Sequence, residues 1–197
     1  MELHDPYRAP ATFPVPPALP RALPEAGARA QPISDAAEYY APSSMKLVLL
    51  SLTTLGLYVV YWFWRNWQAI QRETGGRQWP WARALFSPLW AYSCFSELRD
   101  AASNRRRDLA FAPGLLAVVY FLLNVASRLP NVGWLLALFV FVPLLPVNSL
   151  LRRYHQDERV DTERMDRFGA LHILVVVVGG LFLLLLFAGM FLTNGGR

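Results

Sequence analysis

The chain is short of the residue types from which most catalytic and metal sites are built. Cys94 is its single cysteine, so neither an intrachain disulfide nor a cysteine-based metal site can form, and one thiol says nothing of redox compartment. Lysine occurs once, at Lys46, and the other basic residues are all arginine. There is no glycine-rich phosphate loop, no Gly-x-Ser-x-Gly elbow and no His-Glu-x-x-His pair. The long apolar runs carry no Asp, Glu, Lys or Arg, which argues against a proton relay or a charge-lined ion path through them. Residues 1–44 hold no apolar h-region, so the expectation is a first span that acts as signal anchor, without a cleavable signal peptide.

What is abundant is apolar. Of the 197 residues 54% are hydrophobic, the mean hydropathy is +0.26, and the apolar residues are clustered instead of spaced at amphipathic periods. That composition suits a small multi-pass membrane protein better than a soluble domain. The net charge of +5 is explained by the positive-inside bias, because most arginines lie between the apolar runs. No nucleic-acid motif accompanies it, and nucleic acid is not an expected partner. The preference for arginine over lysine suggests a GC-rich bacterial genome.

The expected fold is all-α and transmembrane, with about four spanning helices and one interfacial or re-entrant segment. Residues 1–44 form a Pro-rich tail with nine of the fifteen prolines, expected to be disordered and extended. Pro14-Val15-Pro16-Pro17 and Pro17-Ala18-Leu19-Pro20 match the PxxP pattern, though a spacer is the favoured reading. Residues 45–197 form the helical membrane domain, with spans at 47–64, 109–126, 132–151 and 171–192. Continuous runs of this length suit helices, since lipid leaves no other partner for backbone polar groups. Pro113 falls in the opening turns of the second span; Pro143 and Pro146 are expected to kink or open the third. The stretch 84–95, with Pro88 inside it, is too short to span comfortably and is read as interfacial, a fifth span being the alternative.

The first run closes on an aromatic cuff, Tyr58, Tyr61, Trp62, Trp64, Arg65 and Trp67, followed by Trp79 and Trp81. Tyr and Trp favour the bilayer boundary because their rings are apolar while their O–H and N–H tips seek water. These eight residues are the expected membrane-interface anchors. With four spans, the loops 65–108 and 152–170 carry thirteen of the nineteen basic residues, so both loops are expected to be cytoplasmic and both termini outside. With five spans, the tail moves inside. Arg99, Arg105, Arg106 and Arg107 flank the second span; lipid-headgroup contact and topogenic charge both account for them.

The run Leu52-Thr53-Thr54-Leu55-Gly56-Leu57-Tyr58, then Tyr61-Trp62-Phe63-Trp64 and Asn66-Trp67, resembles a signature of small uncharacterised bacterial multi-pass inner-membrane proteins, a domain of unknown function. There a Leu-x-x-Thr-x-Gly-x-Tyr run leads into Tyr-Trp-aromatic and a basic-Asn-Trp exit. Trp79 to Ser87 is similar to the segment that often follows. The resemblance covers about residues 45–95. It implies a bacterial cytoplasmic (inner) membrane protein and supplies no catalytic residue. Read physically, Thr53 and Thr54 can bond back to carbonyls one turn earlier, and Gly56 gives another helix a close contact point.

Few polar groups remain as candidates for chemistry. Asn124 and Asn148 lie near span ends, where solvated capping is favoured over a buried role. His155, Asp157, Glu158 and Asp161 offer metal-ligand types, but five arginines interleave with five acids between 152 and 167, and a solvated salt-bridged helix is the better reading. His172 reads as an interface residue. No catalytic residue, cofactor or metal is expected. The sequence points to a structural or accessory membrane component whose partners are the lipid bilayer and another membrane protein or a second copy. The alternatives are a small transporter or channel using the Pro143/Pro146 break and, last, an interfacial enzyme built on His155.

Overall fold

The computed structural model describes residues 38–103 and 111–194, which belong to one compact unit, Ser34–Arg197. The expected disorder of the tail up to residue 37, and Arg105 to Arg107, lie outside the described residues. Among the described residues all regular structure is helical. In chain order it comprises α1 (Ser44–Thr53), α2 (Leu57–Thr74), α3 (Pro80–Leu85), α4 (Ser87–Ser103), α5 (Pro113–Ala126), a 3-10 helix (Asn131–Phe139), α6 (Leu144–Asp157), α7 (Glu163–Asp166) and α8 (Ala170–Asn194).

The first apolar run is not one helix. It breaks at Thr54-Leu55-Gly56, where Leu55 has φ 52° and Gly56 φ 89°. The cause is local. Thr53 and Thr54 hydroxyls donate back to Leu49 and Leu50 carbonyls at 2.8 and 2.6 Å, as the sequence suggested. Gly56 N–H reaches Ser51 O at 2.8 Å, and Thr54 Oγ1 then accepts from Tyr58 N–H at 3.0 Å. One threonine thus ends α1 and starts α2. Gly56 takes the left-handed conformation that other residues adopt only with strain, with the Ala137 carbonyl close by. The result is a helical hairpin.

The stretch 84–95 is likewise a corner. α3 stops at Leu85, and Pro88 sits at the second position of α4, where its missing N–H costs nothing. α4 then runs on to Ser103, antiparallel to α5: Ser87 Oγ lies 2.8 Å from Tyr120 Oη, and Gly114 lies beside the Tyr92 ring. Pro113 opens α5 at its first position. The third run also divides, into the 3-10 helix and α6, with Pro143 as the α6 N-cap and Pro146 in its first turn. The expected proline break is therefore present.

Among the described residues two stretches are long and apolar enough to cross a membrane, Leu135–Asp157 and Glu163–Leu192; α1 and α5 are apolar but shorter. Four full spans are not what these lengths give. Within the first candidate half of the apolar window is buried in the protein; within the second none is. α8 touches the rest along α1, and most closely where Gly179 meets Thr53: a Cβ at Gly179 would stand 2.1 Å from the Thr53 carbonyl oxygen. Backbone cannot swing aside as a side-chain tip can. Gly179→Ala is therefore expected to lower the unfolding midpoint in detergent, by the ~1–3 kcal/mol typical of overpacking. Gly180→Ala, where an added Cβ meets nothing within 4 Å, should leave it unchanged. Equal midpoints for the two variants would refute the α1–α8 crossing.

Candidate functional site

The interior is aromatic. Trp62, Phe63, Trp67, Phe95, Tyr120 and Tyr154 are fully buried, and Phe63 stacks on Phe95 and tilts against Tyr120. Through this core runs an extended strap, residues 39–43, that the sequence placed in the tail. Tyr39, Tyr40 and Ala41 are buried. The strap ends at Ser43, whose hydroxyl caps α1 by accepting from Lys46 N–H.

The strap is held by its backbone. Asn66 accepts from Tyr40 N–H and donates to Tyr40 O, both at 3.1 Å. Ala41 N–H points at the Met165 sulfur, and Ala41 O accepts from Arg152 at 3.2 Å. Pro42 O accepts from Asn148 Nδ2 at 2.8 Å, while Asn148 Oδ1 accepts from the Trp62 indole at 3.2 Å. Ser43 N–H donates to Asp166 at 2.6 Å, and Arg152 holds both oxygens of the same carboxylate at 2.8 and 3.0 Å. Tyr39 Oη donates to the Glu73 carboxylate, and the Tyr40 and Tyr58 hydroxyls lie 2.7 Å apart. Lys46, 2% exposed, donates to the carbonyls of Met165 and Arg167, each at 2.8 Å. A buried extended segment leaves its N–H and C=O groups without a ladder, so each needs such a partner.

These contacts correct two expectations. Asn148 is not a solvated cap: it is completely buried and joins α2, α6 and the strap. Nor are residues 155–161 a solvated helix. α6 ends at Asp157, Arg159 turns the chain at φ 53°, and His155 is buried beside the Tyr154 ring. The acids and arginines partly pair as foreseen, Glu163 with Arg167 at 3.7 Å, but the strong pair is Arg152 with Asp166. Among the described residues no three of His, Cys, Asp and Glu come together as metal ligands would. Asn124 bonds only one turn back, to Tyr120 O at 2.9 Å. His172 accepts from Gly169 N–H at the start of α8 and packs edge-on to Phe168.

The eight expected anchors separate into two groups. Tyr58, Trp62 and Trp67 face inward, Trp64 and Arg65 are half-buried, and Tyr61 is partly exposed against Tyr40, Tyr58 and Trp64. The Arg65 guanidinium lies over the Tyr40 ring. Trp79 and Trp81 stay outside, stacked at 6.0 Å and mostly exposed. Behind them Arg83 sits between the faces of Trp67 and Trp90, 4.5 Å from each centroid. Arg99 pairs with its neighbour Asp100 at 2.9 Å and is partly exposed. The outer surface carries further large apolar side chains: Leu85, Phe86 and Leu89 at the α3–α4 corner, Leu115, Val118 and Leu122 on α5, and nearly the whole circumference of α8.

The described residues are thus all-helical, with two helices long and apolar enough to cross a membrane. No family model, no curated protein and no solved structure matches it.

Proposed function

We propose that the chain is an integral protein of the bacterial inner membrane and serves as a non-enzymatic accessory component, presenting its aromatic outer face to lipid and to a partner membrane protein. The observation that carries this is α8: from Ala170 to Leu192 no residue is buried, although the helix is apolar on every side. In water such a surface far exceeds the patch a monomer leaves exposed; in lipid it is the expected surface. The signature over residues 45–95 supports the same placement. The interior amides and charged side chains support a structural role, because Asn66, Asn148, Arg152 and Asp166 hold the strap, and Lys46 ties α1 to the segment 165–167.

In this reading α8 crosses the bilayer and the α1–α2 hairpin only enters it. α8 is about 37 Å long and a bilayer's hydrocarbon about 30 Å thick, whereas α1 is about 15 Å. α1 runs parallel to α8, Lys46 meeting Arg167 and Thr53 meeting Gly179. The hairpin tip therefore stops near mid-depth, and α2 returns past the strap, Asn66 at Tyr40 and Glu73 at Tyr39. The strap side then carries Arg72, Arg77, Arg152, Arg153, Arg159, Arg164 and Arg167, which makes it cytoplasmic. The break before α6 is the element a transporter would use, but Val140, Phe141, Leu144 and Val147 around it are buried apolar side chains that offer a polar substrate nothing.

High-pH carbonate extraction of membranes tests the placement. The full chain is expected to stay in the pellet; release into the supernatant, as for a peripheral protein, would end this reading.

A further inference from the structure

At the α3–α4 corner lies a groove of about 440 Å³ that faces the same outer surface. Leu85, Phe86 and Leu89 form one wall. The other is a single stripe of α5 and the turn after it, Phe121, Asn124, Val125 and Arg128, spaced three and four apart and so on one face. The groove is therefore apolar apart from Asn124 and cationic at the end where the stripe stops. Among the described residues no Asp or Glu lines it. Arg128 is exposed and, among the described residues, has no acidic partner, whereas Arg99 and Arg152 each have one.

We infer that this groove binds one anionic phospholipid, an acyl chain lying along Leu85, Leu89, Phe121 and Val125 and the phosphate at Arg128. The inference rests on the membrane reading above and adds a bound lipid class to it. Three observations select this occupant. The groove opens between exposed apolar faces, so in a membrane its neighbours are lipid chains. A charged side chain on such a surface has to reach headgroup depth, because a charge in hydrocarbon is costly. An unopposed guanidinium there matches a phosphate with net negative charge and discriminates against a zwitterionic headgroup, whose own cation it would meet.

The test uses the full chain purified in mild detergent, with native mass spectrometry after adding dioleoyl phosphatidylglycerol or dioleoyl phosphatidylcholine. The wild-type chain is expected to retain one phosphatidylglycerol about fivefold better than phosphatidylcholine, the ratio one juxtamembrane cation supplies. Arg128→Ala should reduce phosphatidylglycerol retention to the phosphatidylcholine level, and Arg128→Lys should restore part of it. Leu89→Trp, at an exposed position on the groove wall, should abolish retention with Arg128 intact and helical circular dichroism unchanged. Equal retention of the two lipids, or undiminished phosphatidylglycerol on Arg128→Ala, overturns the assignment. So does displacement by glycerol phosphate at the same concentration, since that would mark a headgroup-only site. A chain that stays in the carbonate pellet yet shows no lipid preference loses this inference alone; one released from the pellet loses the membrane reading.

Discussion

Single cysteines placed at Glu38, Gly76 and Glu163 in a Cys94→Ala background are expected to react with a membrane-impermeant maleimide from the same face of sealed vesicles. A cysteine at Leu192 should react only from the other face. The charge count over four spans gives a different result: the tail outside and the 152–170 loop inside. The contacts do not permit that separation. Asp166 takes Ser43 N–H, Arg152 takes Ala41 O, and Lys46 takes the Met165 and Arg167 carbonyls, so strap and loop share one face of any bilayer. Gly76 follows α2, whose Glu73 meets Tyr39. The effect is all or none, because a maleimide either reaches a thiol or is held back by the membrane. Cys94 itself is fully buried, so background labelling should be small even without its replacement. Labelling of Glu38→Cys and Glu163→Cys from opposite faces would falsify the strap–loop contacts, and labelling of Glu38→Cys and Gly76→Cys from opposite faces the hairpin.

The reason for the discrepancy is visible in particular residues. Hydropathy sees Leu47 to Trp64 as one run because Thr53, Thr54 and Gly56 are each acceptable inside a membrane helix. What breaks the helix is their combination: two hydroxyls bonding back, then a glycine free to take φ 89°. The threonine back-bonds were legible from residue type and spacing; the reversal they permit was not, since it depends on α4 being there to receive α2, as where Phe63 stacks on Phe95. The proline break before α6 and the extent of α8 were legible, because fixed φ and an uninterrupted apolar run act locally. The clasp was not. Asn66, Asn148, Arg152 and Asp166 are separated by up to a hundred residues, and a polar residue near the end of an apolar run looks the same whether it faces water or a buried carbonyl. One signal was available. Asn66 is a lone amide inside an aromatic run, where a polar side chain needs a buried partner. The cuff shows the same ambiguity: tryptophan suits both a membrane boundary and a core, and only the neighbours decided that Trp62 and Trp67 are core while Trp79 and Trp81 are surface.

Asn148→Leu should be among the most destabilising single changes in the protein. Its side chain lies 2.8 Å from Pro42 O and 3.2 Å from Trp62 Nε1, and both partners are buried. Leucine fills a similar volume and leaves a carbonyl and an indole N–H unpaired, each at about 1–3 kcal/mol, so a loss of about 2–6 kcal/mol is expected. Lys46→Met orphans the buried Met165 carbonyl and should cost about 1–3 kcal/mol, because Arg167 is exposed and its carbonyl can take water. Arg152→Ala should cost less. It orphans one buried carbonyl, Ala41 O, while its carboxylate partner is about a third exposed and can be rehydrated. Unfolding midpoints in mixed micelles of rising denaturing-detergent fraction give the ranking, and proteolysis near Tyr39–Pro42 reports strap release directly. The decisive comparison is the pair Trp62→Phe with Asn148→Leu. If the indole–amide bond is what the single variant loses, removing both partners should recover about 1 kcal/mol of the sum of the single losses, because no N–H is then left unmet. The bond to Pro42 stays broken in both. That remainder isolates the contribution of holding the strap, and it should appear as protease sensitivity at Tyr39–Pro42 in the double variant as well. Strictly additive losses would mean that Trp62 and Asn148 are neighbours in the core without being coupled.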